Sequence, residues 1–387
     1  MLATDQSNQL DEILGTSIAE FDIPDAVYAR AVARYEHLAQ WLADYWPDPH
    51  AGGEVYPQGS VRLGTVTCPV DPRDEIDVDL VCRRDLLETS ITKQDLKSDV
   101  GLGLARYVAT RPDGAPTCAE GGRCWTLEYS GEPFHMDVLP ALPDTETLPN
   151  GILLTDRELW MWQHSNPVDF ADWFRGRMAA EFITLREASA IAKRMDVEDV
   201  PYWQVKTTLQ RTVQALKRHR DLHFVDAPKD KPASIVITTL AARAYRGQGS
   251  LFEVLVDVVQ RMPAFIEDRD GILWIPNPVQ AEENFADRWR KHPDRAQRFF
   301  DWIGQAQLDF AGLGEERGLH RVVSKLAESF GPDPANRAGE RFGTGMRNAR
   351  ERGLLGIGAG TGTLGAVRSR PVPQHTFHGD GPRPIRS

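Results

Sequence analysis

Two aspartates interrupt an otherwise apolar strand in the first half of the chain. The segment DEIDVDLVC (residues 74–82) alternates Asp77 and Asp79 with apolar residues. Because successive side chains of a strand point to opposite faces, both carboxylates must lie on the same face of their sheet. A core strand would carry apolar side chains at these two positions. The pattern therefore predicts a sheet with one packed face and one face that carries acidic chemistry.

A third aspartate lies in a second strand-like segment. Asp137 stands between Met136 and Val138 in FHMDVLPAL (residues 134–142). Three carboxylates on neighbouring strands repel one another and raise each other's pKa values unless a cation lies among them. Mg²⁺ prefers carboxylate, water and phosphate oxygens, and two such ions about 4 Å apart clamp the attacking and leaving oxygens of a phosphoryl displacement.

We therefore predict that Asp77, Asp79 and Asp137 are the catalytic residues and the ligands of two Mg²⁺ ions, for which Mn²⁺ can substitute. Asp77 and Asp79 would hold the ion that carries a triphosphate, and all three would hold the ion that activates a 2′- or 3′-hydroxyl. Asp137 could also accept the proton of that hydroxyl. A D-x-D pattern in a strand also arises by chance, so taken alone it leaves an ordinary structural strand open.

A glycine and a serine precede the acidic strand at a turn. Gly59 and Ser60 follow a short apolar stretch, and Ser60 begins the segment SVRLG. Glycine lets the backbone approach a phosphate closely, and a serine at the start of a helical turn offers its hydroxyl and amide to phosphate oxygens. Gly-Ser dipeptides are common, and it is the order of Gly-Ser, D-x-D and a later single aspartate that favours a catalytic site.

With these motifs the sequence resembles the polymerase-β-like nucleotidyltransferases, and among them the bacterial cGAS/DncV-like nucleotidyltransferases (CD-NTases) of anti-phage signalling systems. The resemblance covers about residues 25–310. The segments that carry it are YPQGSVRLGT (56–65), DEIDVDLVC (74–82), FHMDVLPALPD (134–144), SNPVDFADWF (165–174), LQRTVQALKRHRD (209–221), KPASIVITTLAA (231–242) and IPNPVQAEENFADRW (275–289).

The resemblance implies an α+β fold: a polymerase-β-like core of mixed sheet and helices, joined to an oligoadenylate-synthase-like helical domain, with the active site in the cleft between them. It implies that Lys217 and Ser234 contact the donor's β- and γ-phosphates, beside Gly59 and Ser60. The expected activity is the condensation of ribonucleoside triphosphates such as ATP into a cyclic di- or trinucleotide, with release of pyrophosphate. That product would be a second messenger for a downstream effector protein in antiviral (CBASS) defence.

The pattern of apolar residues changes near residue 156, from strands to helices. We expect a nucleotidyltransferase core with a long N-terminal helix at residues 1–155, a helical domain at 156–330, and a flexible Gly/Pro/Arg-rich tail at 331–387. Apolar residues at helical spacing predict helices over 28–46, 96–110, 167–195, 203–224, 234–245, 250–262 and 282–308.

Two lysines of the predicted helix over 203–224 could offset phosphate charge. Lys206 and Lys217 are separated by close to three turns, so one helix face could present both ammonium groups. The alternative is a solvated basic face. Cys118, Cys124 and His135 lack metal-ligand spacing, which argues against a zinc site.

Charge and composition exclude several classes of protein. The net charge of −11 argues against stable, sequence-specific binding to nucleic acid through a broad basic surface. A secretory signal and a long apolar run are both missing from the sequence, which predicts a cytoplasmic protein without membrane attachment, with its four cysteines reduced.

Two alternatives remain open from the sequence. One is an enzyme on the same core that adds nucleotides to RNA ends or to a small molecule, and the other is a catalytically silent scaffold. Residues 371–384 (PVPQHTFHGDGPRP) suit docking to a protein partner or folding back onto the enzyme, and a spacer without a role fits them equally well.

Overall fold

A computed structural model describes residues 4–48, 52–111, 114–155, 162–354, 356–357 and 364–365. The chain divides into two compact units, Ile18–Ala311 and a second unit made of Met1–Ser17 with Gly312–Ser387. Among the described residues, no helix combines the length and the apolar character needed to cross a membrane.

The larger unit contains a seven-stranded mixed sheet. The strands are β1 (Gly53–Pro57), β2 (Ile76–Arg84), β3 (Thr117–Glu120), β4 (Trp125–Glu128), β5 (Phe134–Pro143), β6 (Ile152–Leu154) and β7 (Gln163–Ser165). Their order in the sheet is β1-β2-β5-β4-β3, and β6 pairs with both β5 and β7. Strands β2 and β5 run parallel, and the other pairs are antiparallel. The mixed α+β architecture agrees with the fold expected from the sequence.

One face of this sheet is packed against two helices, α2 (Asp25–Tyr45) and α4 (Lys93–Ala109). Alternate residues of β2 and β5 supply the apolar side chains of that face, because the strand periodicity of two sends every second side chain to the same side. The helices add Leu38, Leu42 and Leu104, all fully buried. The opposite face has a smaller apolar patch that includes Tyr56, Val81 and Leu139.

Helices dominate the rest of the larger unit. They are α3 (Gly59–Leu63), α5 (Pro167–Gly176), α6 (Ala179–Lys193), α7 (Thr208–His223), α8 (Ser234–Ala244), α9 (Leu251–Arg261), α10 (Asp287–Lys291) and α11 (Pro293–Leu313). Helix α7 begins with a capping box, in which Thr207 and Gln210 satisfy each other's backbone amides. It is buried along most of its length, including polar residues such as Gln214 and Lys217.

Two predicted helices begin later than expected. Residues 280–284 form a strand, β11 (Gln280–Asn284), that pairs with β10 (Pro276–Asn277), so the helix predicted over 282–308 is wrong at its start. Two short strands, β8 (Glu267–Arg269) and β9 (Ile272–Trp274), form a separate hairpin. Helix α7 begins at Thr208, so Lys206 precedes the helix and does not share a helical face with Lys217.

The smaller unit includes a pair of helices in place of an irregular tail. Helices α12 (Leu319–Phe330) and α13 (Pro332–Glu351) pack on each other, with Ala335 and Ala338 of α13 fully buried. A Cβ built on Gly339 would stand 2.7 Å from a Val323 methyl, so a small residue permits the close contact. This corrects the expectation of a flexible tail from residue 331. Helix α1 (Thr4–Ala19) begins in the same unit, and two short strands, β12 (Gly356–Ile357) and β13 (Leu364–Gly365), pair further on.

The predicted boundary at residues 155/156 stays a prediction, because both sides of it belong to one compact unit. The predicted docking segment 371–384 lies outside the described residues.

Candidate active site

The parallel pairing of β2 with β5 brings the three predicted aspartates to one face of the sheet. Asp79 and Asp137 are direct register partners, and Asp77 lies two residues before Asp79 on the same face. Burial raises the pKa of Asp79, and with the added effect of the charges of Asp77 and Asp137 that pKa is about 6. The carboxylates are thus close enough to repel one another.

Their oxygens are nevertheless not all in mutual contact. Within the described part of the chain, the group of acidic and histidine ligands within 4.8 Å of one another is a different one, Asp144, Glu146 and His164. Asp144 is buried and already accepts hydrogen bonds from Thr147 at 2.7 Å and from the Glu146 amide at 3.0 Å. The His164 ring also lies 2.6 Å from a carboxylate oxygen of Asp144. These contacts account for the cluster as a structural network.

A histidine that sequence reasoning set aside lies directly beside the acidic face. His135 is the register partner of Asp77, and its Nε2 lies 3.1 Å from Asp77 Oδ1, while its Nδ1 lies 3.1 Å from Glu75 Oε2. The hydrogen bond to Asp77 raises the pKa of His135 to about 9, and the same contact lowers the pKa of Asp77. His135 stands two residues before Asp137, so alternation along the strand was the signal that could have found it.

The Asp137 side chain accepts a hydrogen bond from the neighbouring strand β4. Thr126 is its register partner and donates a hydrogen bond from Oγ1 to Asp137 Oδ1 at 2.6 Å. Burial, together with nearby Asp137, raises the pKa of the Cys124 thiol to about 11. The hydrogen bond fixes one oxygen of Asp137.

The Gly-Ser turn packs against the same carboxylates. Gly59 has a positive φ of 58°, and a Cβ built on it would stand 2.5 Å from Asp79 Oδ2. Glycine is therefore required both by the backbone conformation and by the close approach. The turn is also tied to β2, since the Gln58 amide donates to the Asp79 carbonyl at 2.9 Å.

An open cavity of about 800 Å³ lies over this face. Its lining includes two of the three aspartates, the Gly-Ser turn and both residues that the family resemblance had singled out on the helices. Those residues are Asp77, Asp79, Gly59, Ser60, Lys217 and Ser234. Asp137 is not among the lining residues and lies beside Asp79, its register partner on β2.

Lys217 and Ser234 enter the cavity from α7 and α8. Lys217 is 5% exposed and donates from Nζ to the Thr65 carbonyl at 3.0 Å. Burial, together with the charge of neighbouring Arg220, lowers the pKa of Lys217 to about 8. Ser234 is the first residue of α8, and its Oγ accepts a hydrogen bond from Arg220 Nη1 at 2.9 Å.

A second lysine of the cavity was not identified from the sequence. Lys231 lines the cavity, its side chain is 39% exposed, and its Nζ lies 3.0 Å from Asp221 Oδ1. Lys231 reaches the cavity because the loop before α8 lies against α7. No local sequence pattern encodes that contact. Lys206, by contrast, donates to the Gly64 carbonyl at 2.8 Å and does not line the cavity.

Comparisons with known proteins point to one family. No protein-family model matches the chain. A c-di-GMP synthase from Roseivirga ehrenbergii is 30% identical over an alignment that covers 98% of this chain and all of the relative. The cyclic dinucleotide synthase CdnG from Bradyrhizobium diazoefficiens is 27% identical, over 73% of this chain and 71% of that protein.

Solved structures share the fold. The Bradyrhizobium diazoefficiens CD-NTase CdnG in complex with GTP has a TM-score of 0.68 at 22% identity, covering 86% of this chain and 98% of that one. The GTP-bound form of Vibrio cholerae DncV has a TM-score of 0.53 at 15% identity, covering 86% and 90% of the two chains. The chain belongs to the bacterial cGAS/DncV-like nucleotidyltransferases, the CD-NTases, which are cyclic oligonucleotide synthases.

Proposed function

We propose that this protein joins two guanosine triphosphates into a cyclic dinucleotide, with chemistry centred on Asp77, Asp79 and Asp137. The observation that carries the proposal is the Asp79 carboxylate, which lines an open cavity and whose pKa is raised to about 6 by burial together with the charges of Asp77 and Asp137. Such an arrangement costs folding free energy unless a cation binds there. The choice of guanosine is supported by the relatives, one named a c-di-GMP synthase and another solved with GTP.

The donor set fits divalent magnesium. It consists of carboxylate oxygens, with cavity space left for water and phosphate, which matches the preference of Mg²⁺ for oxygen ligands and partial hydration. We assign Asp77 and Asp79 to both ions of a pair, and Asp137 to one of them. When bound, the ions lower the pKa of the attacking hydroxyl and offset the negative charge that develops on the transferred nucleotidyl group.

The surrounding residues bind the triphosphate. Lys217 and Lys231 bring two ammonium groups to the cavity, and Ser234 adds a hydroxyl at the first turn of α8, where backbone amides lack partners within the helix. Gly59 and Ser60 bring the backbone of the turn next to Asp79. Together they hold the donor so that its α-phosphate faces the acidic strand.

In each condensation a ribose hydroxyl oxygen forms a bond to the α-phosphorus of the donor, and the bond from that phosphorus to the β-phosphate bridging oxygen breaks. The hydroxyl proton passes to Asp137, whose second oxygen is not the one bonded to Thr126. Pyrophosphate leaves. A second round between the two joined nucleotides closes the ring.

The cyclic product is a second messenger for an effector protein in anti-phage signalling. This part of the proposal follows from membership in the CD-NTase family. An accessory protein that docks on the C-terminal segment 371–384 remains a separate hypothesis, since that segment lies outside the described residues.

The test is incubation of the full-length protein with labelled GTP and Mg²⁺ or Mn²⁺, without primer. We expect a phosphatase-resistant product with the mass of cyclic di-GMP, and no product in EDTA. An equimolar mixture of the four nucleotides, analysed by mass spectrometry, then measures base choice. A lack of product without primer, with label incorporated only when RNA is added in a parallel reaction, would overturn the proposal, and so would a product free of guanine from the mixture.

A further inference from the structure

A buried arginine lies beside Ser234 in the wall of the active-site cavity. Arg220 is on α7, about one turn after Lys217, and is 4% exposed. Burial lowers the pKa of its guanidinium group, and the charge of Asp221 partly opposes that shift. Burying a cation costs free energy unless its charge is paired and its N–H groups donate to acceptors. The contacts of Arg220 therefore indicate why a cation is kept at this position.

The guanidinium group joins α7 to the segment at which α8 begins. Its Nη1 donates to the Pro232 carbonyl at 3.0 Å and to Ser234 Oγ at 2.9 Å. Its Nε and Nη2 donate to Asp221 Oδ1 at 2.9 Å and 2.7 Å. A planar group with donors in fixed directions holds several acceptors in one geometry, which the single ammonium group of a lysine cannot do. Arg220 thus fixes the Ser234 side chain relative to α7.

The direction of the hydrogen bond determines what the Ser234 hydroxyl can do. A guanidinium group has donors and no acceptor, so Ser234 Oγ is the acceptor in its bond with Arg220. That bond does not use the hydroxyl proton, which is left for a different acceptor. Ser234 lines the cavity, where the phosphate oxygens of a bound triphosphate would accept it. Arg220 therefore orients Ser234 as a donor toward the cavity.

The Asp221 carboxylate is shared between Arg220 and Lys231. The oxygen that accepts from Arg220, Oδ1, also lies 3.0 Å from Lys231 Nζ. Because two cations face one anion, the three groups together remain positive. Without Arg220, the charges of Lys231 and Asp221 would neutralise each other. Arg220 therefore leaves the Lys231 ammonium group able to bind an anion in the cavity.

We propose that Arg220 is a positioning residue for the triphosphate of the donor nucleotide. It orients the Ser234 hydroxyl toward phosphate, and its pairing with Asp221 allows Lys231 to bind phosphate as well. Arg220 acts through these residues, since its hydrogen bonds go to protein acceptors. The role rests on the proposed function, because it requires a nucleoside triphosphate in the cavity.

The experiment is isothermal titration of the full-length protein in Mg²⁺ with a GTP analogue that has a methylene group between its α- and β-phosphates and cannot react. Ser234→Ala should weaken this analogue about tenfold, because a hydrogen bond to a charged phosphate is lost. Arg220→Lys should weaken it about 20-fold, because one ammonium group cannot serve both Ser234 and Asp221. A thermal melt of each variant checks that it is folded.

The double variant distinguishes positioning from a general structural role. If Arg220 acts through Ser234, Arg220→Lys with Ser234→Ala should bind within about threefold of Arg220→Lys alone. Independent contributions would instead multiply to a loss of about 200-fold. If Arg220→Lys does not fold, Arg220→Gln takes its place in the cycle. Lys231→Gln, at an exposed position, should weaken the analogue about fivefold in either case.

Arg243→Lys is the matched control. Burial lowers the pKa of Arg243 as it does that of Arg220, and Arg243 Nη2 also donates to a proline carbonyl, that of Pro276, at 3.1 Å. Arg243 does not line the cavity, so the affinity should change less than about twofold. Absence of binding to the wild-type protein would overturn the proposed function and this role with it. Multiplying losses in the double variant, or unchanged affinity in Arg220→Lys or Lys231→Gln, would overturn the role of Arg220 alone.

Discussion

The two faces of strands β2 and β5 carry different kinds of side chain. One face consists of Ile76, Val78 and Leu80 with their β5 partners, all buried in the main hydrophobic cluster. The other face, one residue away along the same strands, presents Asp77 and Asp79. The same backbone therefore supports a packed core on one side and a polar cavity on the other.

This difference separates stability from chemistry within single strands. On the packed face, side-chain volume determines the free energy of unfolding, and chemical identity matters only through shape. On the acidic face, burial and the neighbouring carboxylates raise the pKa of Asp79, so an ionised Asp79 is unfavourable for folding, which is typical of residues kept for function. Substitutions on the two faces should consequently have opposite signatures.

The largest effect is expected when the acidic face is removed. The double substitution Asp77→Ala with Asp79→Ala should lower the rate of nucleotide condensation at least about 1,000-fold, because it removes the proposed ligands of both ions. Thermal stability in EDTA should change little, because the relief of repulsion at Asp79 is offset by the loss of the hydrogen bond between Asp77 and His135. Product formation from labelled GTP and a thermal melt measure the two quantities.

The cluster of Asp144, Glu146 and His164 provides the matched control. Glu146→Gln removes a carboxylate from the cluster with Asp144 and His164, and we expect a change in rate of less than about twofold. A large loss of synthesis in this variant, with normal synthesis in the double aspartate variant, would move the metal centre to that cluster.

The packed face should show the reverse behaviour. Met136 is fully buried and is the register partner of Val78. Met136→Ala should lower the free energy of unfolding by about 2–5 kcal/mol, because it leaves a cavity. The rate per folded molecule should stay within about threefold of wild type. Urea unfolding measures the first quantity, and synthesis at low temperature the second.

Met136→Leu is the control for volume, with an expected cost below about 1.5 kcal/mol. If Met136→Ala remained as stable as wild type, or lost synthesis while folded, the separation of the two faces would fail.

A third prediction concerns the cation that faces the acids. Lys217→Met should lower the rate of synthesis by about 10- to 100-fold, equivalent to about 2 kcal/mol, because one ammonium group of the triphosphate site is lost.

Lys206→Met is a matched control. Both lysines have a pKa lowered to about 8 by burial, and both donate to a carbonyl of the loop after α3. Only Lys217 lines the cavity, so Lys206→Met should change the rate less than about threefold. Equal losses in the two variants would indicate a structural role for both.

Much of the acidic face could be predicted from the sequence, because strand alternation is a local rule. The positions of Asp77 and Asp79 on one face and the turn at Gly59 needed no knowledge of long-range contacts. Predicting which residues contact them did require knowledge of long-range contacts. His135 contacts Asp77 only because β2 and β5 pair in parallel in one register, and that pairing is a property of the whole sheet.

The predictions that proved wrong relied on the average composition of long segments. Glycine and proline are frequent across residues 331–387, yet the stretch Pro332–Glu351 has proline at the helix start and alanines at spacings that pack on α12. Likewise QAEEN contains good helix formers but becomes a strand, since the preceding segment offers β10 as a pairing partner. Tertiary contacts override local propensity in both segments.

The smallest effect should come from a residue that touches the acidic face only through Asp137. Thr126 donates to Asp137 Oδ1 at 2.6 Å, and Thr126→Val replaces the hydroxyl by a methyl group of similar size. We expect synthesis to fall about tenfold and the half-saturating concentration of Mg²⁺ to rise by a similar factor, because a ligand that loses its supporting hydrogen bond is less well oriented. Thr126→Ser keeps the hydroxyl and should restore both values to within about twofold. An Mg²⁺ dependence identical to that of wild type in Thr126→Val would mean that Asp137 needs no support from β4, and that the backbone pairing of β2 and β5 alone sets the geometry of the acidic face.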